Sequence, residues 1–312
     1  MKEAWIKAMS IYLPPKTLTN EELVLQFPDW SLEKIAGKVG ISSRHISDDG
    51  ETAGDMAFRA ASNLFLEHPE IDRGCVDFII LCTQSPDFPL PSTACILQDR
   101  LGLSTKCGAF DFNLGCSGYE YGLTIAKSFI ISGTATNVLL LTSEQYTKYL
   151  DPADKGNRTI FGDGATATLV STDGIGRIGE FVLGTDGSGA EKLIKRPGEG
   201  LFMDGQGIFD FAASVVPPMV EETLRKNALQ SDDISLFVFH QANKYMINYL
   251  RKIMDIDKER FFVFMENVGN TVSSTIPIAL YQAMKEDRLH GNVVLAGFGV
   301  GLSYGATVIK FL

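Results

Sequence analysis

The sequence is short of the features that mark a metal protein, a membrane protein or a nucleic-acid binder. Its five cysteines, Cys75, Cys82, Cys95, Cys107 and Cys116, are odd in number and form no CxxC pair. Metal-ligand spacing is therefore missing, and a disulfide framework is not expected in a chain of 312 residues. Basic residues are outnumbered, Lys+Arg 28 against Asp+Glu 38, for a formal charge of −10. That balance argues against a broad nucleic-acid or anionic-membrane surface and leaves room only for local basic patches. No apolar run approaches the ~18 residues of a membrane helix. The opening MKEAWIKAMSIYLP lacks the continuous apolar core of a secretory leader, so the expected compartment is cytoplasmic. What is present, 45% hydrophobic residues with mixed charge, describes an ordinary globular protein with chain enough for two domains.

The most informative stretch is Phe110–Gly122, FDFNLGCSGYEYG. An apolar run stops at Asn113-Leu114-Gly115, Cys116 follows, and Ser117-Gly118 lead into a predicted helix. A thiol at a helix start feels the positive end of the macrodipole, which favours the thiolate, and flanking glycines let a substrate carbonyl approach. On this stretch alone, a cysteine buried among small residues is an equally good reading.

Along the chain, Ala4–Tyr12 alternates as a strand, Thr19–Glu22 has the pattern of a capping box, and Thr52 with Asp55 opens an amphipathic helix through Met56, Ala60 and Leu64. Val76–Cys82 and Val138–Thr142 read as buried strands. Asp173–Gly207 is charged and glycine-rich, and no element is assigned to it. Phe209–Ala228 is helical in pattern, with Pro217-Pro218 expected to kink or divide it.

From Ile234 the organisation repeats. Ile234–His240 and its following helix match Val76–Cys82 and its helix; Phe261–Met265, Gly269-Asn270-Thr271 and a further helix match the strand, corner and helix around Cys116. Val138 follows Cys116 by 22 residues and Val293 follows Asn270 by 23. The pattern is a duplicated α/β unit with halves at 1–172 and 173–312. Equivalent corners meet at the junction of such halves, so Cys116, His240 and Asn270 can share a pocket. Singly, His240 is as well explained as a hydrogen-bonded histidine at a strand end and Asn270 as a turn residue. Gly297–Gly301, GFGVG, is not a dinucleotide cradle, because Leu302 stands where the third glycine belongs and a strand follows.

Ordered motifs then converge. Gly40-Ile41 with Arg44-His45-Ile46, Phe88–Cys95 (FPLPSTAC), Asn113–Gly118, Asp151–Gly156, Ile160–Ala165, His240–Asn243 (HQAN), Gly269–Thr271 and Gly297–Phe311 together resemble the beta-ketoacyl-acyl-carrier-protein synthase III family of the thiolase superfamily over nearly the whole chain. The resemblance implies a thiolase-like five-layered αβαβα fold from two duplicated halves, a homodimer, no cofactor, and a triad on Cys116, His240 and Asn270. It implies an acyl-coenzyme A or acyl-carrier-protein donor, malonyl-acyl-carrier protein as extender, and oxyanion N–H groups from Cys116 and Val300. Leu90 stands where one subunit reaches the acyl pocket of its twin. Cys116 would store the acyl group; His240 and Asn270 would stabilise the enolate left by decarboxylation.

Three departures bear on substrate. The tryptophan–arginine clamp that holds adenine in the family falls on Lys34 and Lys155, which removes the stacking face and predicts poor priming from acetyl-coenzyme A. The basic residue after Asn243 is shifted to Lys244, with Lys38, Arg251 and Lys252 expected to keep the carrier-docking patch basic. Val300 replaces a common glycine. Two other chemistries share the nucleophile: a papain-like hydrolase with the order Cys…His…Asn, disfavoured by SGYEYG after Cys116, and acyl transfer to an amine or alcohol without decarboxylation.

Overall fold

The computed structural model describes residues 2–312; at Lys38 the side chain lies outside the described residues. In chain order the strands are β1 Trp5–Tyr12, β2 Thr17–Thr19, β3 Ser43–His45, β4 Phe78–Cys82, β5 Gly108–Phe112, β6 Asn137–Glu144, β7 Gly164–Ser171, β8 Gly176–Thr185, β9 Leu193–Lys195, β10 Leu201–Met203, β11 Ile234–Phe239, β12 Phe261–Phe262, β13 Gly291–Gly299 and β14 Ser303–Phe311. The helices are α1 Asn20–Gln26, α2 Leu32–Val39, α3 Ala53–Glu67, α4 Thr93–Arg100, α5 Gly118–Ser132, α6 Lys155–Arg158, α7 Gly205–Lys226, α8 Lys244–Ile253 and α9 Thr275–Lys285.

Ten strands share a sheet in the order β12-β11-β13-β14-β8-β1-β7-β6-β4-β5. Read outward from the β8–β1 seam, each side repeats the other: β1, β7, β6, β4, β5 against β8, β14, β13, β11, β12. The pairing repeats too, antiparallel near the seam and parallel at both ends. The parallel strands carry almost unbroken apolar runs, FIILC in β4 and FVF in β11, because they are covered on both faces.

Three apolar clusters set the layers. Met56, Leu64 and Leu97 of α3 and α4 pack on Ile79 and Leu81; Leu123 and Ala126 of α5 with Ala279 and Leu280 of α9 fill the space between the half-sheets; Phe211, Met219 and Ile247 of α7 and α8 cover Phe237 and Val294. The result is helix, sheet, helix, sheet, helix.

Both expected capping boxes form, Thr19 with Glu22 and Thr52 with Asp55. Of the two outcomes expected for Pro217 and Pro218, division does not occur: α7 runs 22 residues through both. The carbonyls that the prolines leave without donors belong to half-buried Ala213 and exposed Ser214, on the solvent side of the helix, while Val216, Met219 and Val220 keep the opposite face buried. The stretch from Asp173 to Gly207 is also structured, carrying β8 at the centre of the sheet and the β9–β10 hairpin.

Candidate active site

Cys116 sits between β5 and α5, and Asn270 occupies the matching position between β12 and α9; His240 is the first residue beyond β11. The structure brings all three onto one cavity of about 120 Å³ whose apolar wall includes Tyr146, Phe161, Leu193, Met203, Ile208 and Phe298. A larger groove of about 490 Å³ between Pro217 and Ile256 contains none of the three.

His240 and Asn270 are held from outside the cavity. The Asn270 backbone bridges the other half, its N–H donating to Ile160 O at 2.9 Å and its carbonyl accepting from Gly162 N–H at 3.0 Å. Its side-chain oxygen accepts from Val272 N–H at 2.9 Å, so the amide group is the free end, held only by a long 3.4 Å contact to Ala242 O. His240 Nδ1 lies 2.7 Å from Thr275 Oγ1, and that hydroxyl lies 3.1 Å from Val272 O. A hydroxyl has one proton. Both contacts are hydrogen bonds only if Thr275 donates to Val272 O and accepts from Nδ1–H, which leaves a lone pair on Nε2. The imidazole ring also packs edge-on to Phe298, 5.7 Å between centroids.

The electrostatics correct the expected thiolate. Burial pushes the Cys116 thiol up to about 12 against the pull of a hydrogen bond from the Val300 backbone N–H, and burial drives His240 down to about 3. Burial thus favours the neutral form of each group, a thiol at Cys116 and an uncharged imidazole at His240. Gly299 explains how Val300 comes so close: a Cβ on Gly299 would lie 2.7 Å from Cys116 Sγ.

The residues expected to hold the donor are only partly as foreseen. Lys34 stands 5.2 Å over the ring of Trp30, and Lys155 pairs with Asp29 next door. An aromatic face, that of Trp30, is thus present beside Lys34, four residues before it in the chain. Arg251 is half-buried, and its guanidinium donates to Ile256 O just beyond the end of its own helix. Asn243 lines the cavity but spends its side-chain oxygen capping α8 through Met246 N–H. Lys244 and Lys252 are exposed and line a cleft of about 440 Å³ with Tyr245 and Tyr249. Leu90 is 81% exposed on its proline-rich loop. Sequence reasoning missed Thr275 and the Ile160–Gly162 brace; the unusual run of hydroxyls Ser273-Ser274-Thr275 after Asn270 was the available signal.

Comparisons with known proteins agree with this geometry. The family described as 3-Oxoacyl-[acyl-carrier-protein (ACP)] synthase III matches residues 110–187, and its C-terminal family matches 224–311. A relative from Clostridium perfringens, beta-ketoacyl-[acyl-carrier-protein] synthase III, is 36% identical over 99% of this chain and 100% of its own. A solved 3-oxoacyl-(acyl-carrier-protein) synthase III superposes with a TM-score of 0.96 at 43% identity, covering 99% of this chain and 100% of that one. A priming beta-ketosynthase from the R1128 polyketide pathway superposes with a TM-score of 0.90 at 30% identity, covering 99% and 96%. Those matches span both segments that bring Cys116, His240 and Asn270 together, and with likeness over the full length the chain belongs to the beta-ketoacyl-[acyl-carrier-protein] synthase III family.

Proposed function

We propose that Cys116 carries the acyl group of a two-step condensation, with His240 and Asn270 as its partners, in a cytoplasmic homodimer whose subunits divide at 172/173. The chain is an acyltransferase that forms a carbon–carbon bond by decarboxylative Claisen condensation with a malonyl thioester. The observation that carries the residue assignment is the meeting of the three side chains, drawn from both halves, around one apolar-walled cavity.

In the first step the Cys116 sulfur attacks the acyl thioester carbonyl while its proton passes to Nε2 of His240. The oxyanion faces the N–H groups of Cys116 and Val300, then collapses; the departing thiolate takes the proton back from Nε2. In the second, loss of carbon dioxide from the malonyl thioester leaves its electron pair in an enolate whose oxygen accepts from the Asn270 amide and from Nε2–H of the His240 ring in its other neutral tautomer, reached by proton exchange with solvent. The enolate carbon attacks the acyl carbonyl, the tetrahedral adduct collapses with Cys116 leaving as thiolate, and the thiolate takes a proton from solvent to restore the resting thiol. Thr275 serves either ring state, accepting from Nδ1–H or, with its hydroxyl turned away from Val272 O, donating to a bare Nδ1.

The cavity is smaller than the ~150 Å³ that holds a benzene ring, which favours a short primer. Trp30, Lys34 and Lys155 suit a nucleotide-bearing donor, and exposed Lys244 and Lys252 suit an acidic carrier protein. Exposed Leu90 supports pairing of two copies through the proline-rich loop. Sedimentation at working concentrations tests the homodimer, and a monomer would refute it.

Intact-mass measurement after exposure to a panel of acyl-coenzyme A and acyl-carrier thioesters tests the chemistry. The acyl mass is expected on Cys116 and is expected to leave, with release of carbon dioxide, only when malonyl-carrier protein is added. Mapping of that mass to Cys75, Cys82, Cys95 or Cys107 would overturn the nucleophile; discharge to an amine or alcohol without carbon dioxide would favour simple acyl transfer.

A further inference from the structure

Ser117 is the residue at the start of α5, where a serine ordinarily accepts from a backbone N–H of the first turn, yet its hydroxyl makes no such bond. It lies instead 2.7 Å from Ser303 Oγ, and Ser303 Oγ lies 2.8 Å from Val300 O. Both serines are buried, at 0% and 1% exposure. The carbonyl has no proton to give, so Ser303 donates to Val300 O and receives from Ser117. The chain of bonds runs one way, from the residue after the nucleophile to the residue whose N–H faces the nucleophile's sulfur.

The segment it reaches needs fixing. Val300 stands between Gly299 and Gly301, the residue type that restricts backbone rotation least. An oxyanion donor is useful only when aimed at the place where charge develops. Anchoring the Val300 carbonyl sets the ψ of Val300, and the anchor stands on the same helix start as Cys116. We propose that Ser117 and Ser303 are positioning residues that hold the Val300 N–H in register with Cys116; this rests on the reading of Val300 as an oxyanion donor.

The test is single-turnover acylation of Cys116 by an acyl-coenzyme A, followed by intact mass, in Ser303→Ala, Ser117→Ala, the double variant and Ser303→Thr, each checked for a native melting transition. A misaimed donor should cost less than the roughly 10²–10³-fold loss of a deleted one. The expected result is an acylation rate lowered roughly 10- to 100-fold in Ser303→Ala with the half-saturating donor concentration unchanged. Ser303→Thr, which keeps the hydroxyl, is expected to recover the rate, and the double variant to be no slower than the worse single one, as for groups acting as a unit. Ser117→Ala breaks the chain at its other end and carries the test if Ser303→Ala does not fold. Wild-type rates in the alanine variants, a loss confined to half-saturation, or failure of threonine to recover the rate would overturn the proposal. Failure of the wild-type protein to acylate at all would instead overturn the functional reading beneath it.

Discussion

Thr275 Oγ1 lies 2.7 Å from His240 Nδ1 and thereby decides which nitrogen of the only triad imidazole faces the substrate. Thr275→Val leaves Nδ1–H buried without a partner, a cost of about 1–3 kcal/mol, and releases the ring. Condensation is expected to fall at least about 10-fold in Thr275→Val and to stay near wild type in Thr275→Ser. Nitrogen NMR of the imidazole, which reads the protonated nitrogen directly, should show the Nδ1–H form in the wild-type protein; an Nε2–H form would reverse the assignment.

The half-reactions separate the partners of Cys116. Because the Asn270 amide has no role in accepting the thiol proton, Asn270→Ala should acquire an acyl group at nearly wild-type rate and lose malonyl decarboxylation by roughly 10²-fold or more. His240→Ala should also lose decarboxylation, and it should acylate more slowly, since burial holds the Cys116 thiol up at about 12 and the variant has no Nε2 to take its proton. Equal loss of both steps in both variants would contradict this division.

Gly299 is a steric requirement of the site. A methyl group there meets Cys116 Sγ at 2.7 Å and Cβ at 2.9 Å. Gly299→Ala should fold, because it touches only the cavity side, and should acylate Cys116 at least about 100-fold more slowly. Unimpaired labelling of Cys116 by a small alkylating reagent together with unimpaired acylation would refute it.

Glu120, one turn beyond Cys116, is fully buried with both carboxyl oxygens unpartnered, and burial raises its carboxyl well above the ordinary 4.5. A folded-state value above the unfolded one means the native protein holds a proton the unfolded chain releases, so stability falls as pH rises above about 4.5. Glu144, pushed up to about 8 by burial, acts in the same sense. Glu120→Met should be more stable than wild type by about 1–3 kcal/mol near neutrality, with an advantage that widens as pH rises. Denaturant titrations at pH 5 and pH 8 that show a constant difference would argue against an ionisable cost at this position.

Much of the site was legible because its determinants are local. The corner at Cys116, the strand end at His240 and the turn at Asn270 each follow from an apolar run meeting glycine or asparagine, and the closely matched spacings of 22 and 23 residues pointed to the duplication. What escaped is set by distant contacts. β8, GRIGEFVLGT, looks like a charged loop and becomes a strand because β1 and β14 flank it at the seam. The prolines of α7 are tolerated because of which face is wet. Asp29 and Lys155 lie 126 residues apart in the chain and pair only once it is folded. The state of Cys116 was misjudged for the same reason: a helix start is visible in sequence, whereas the depth of burial around the sulfur is not.

The place of β14 also has a bearing on biosynthesis. Ser303–Phe311 comes after every other strand in chain order, yet it lies between β13 and β8 in the interior of the sheet. During translation the second half-sheet therefore keeps an unfilled slot until this strand leaves the ribosome, and Ser303 arrives with it. A nascent chain that already displays Cys116, His240 and Asn270 thus lacks the Ser303 hydrogen bond to Val300, so on the proposed reading Cys116 gains its oxyanion loop only as the sheet is sealed. Acylation competence should appear together with the protease resistance of the whole chain and not before it.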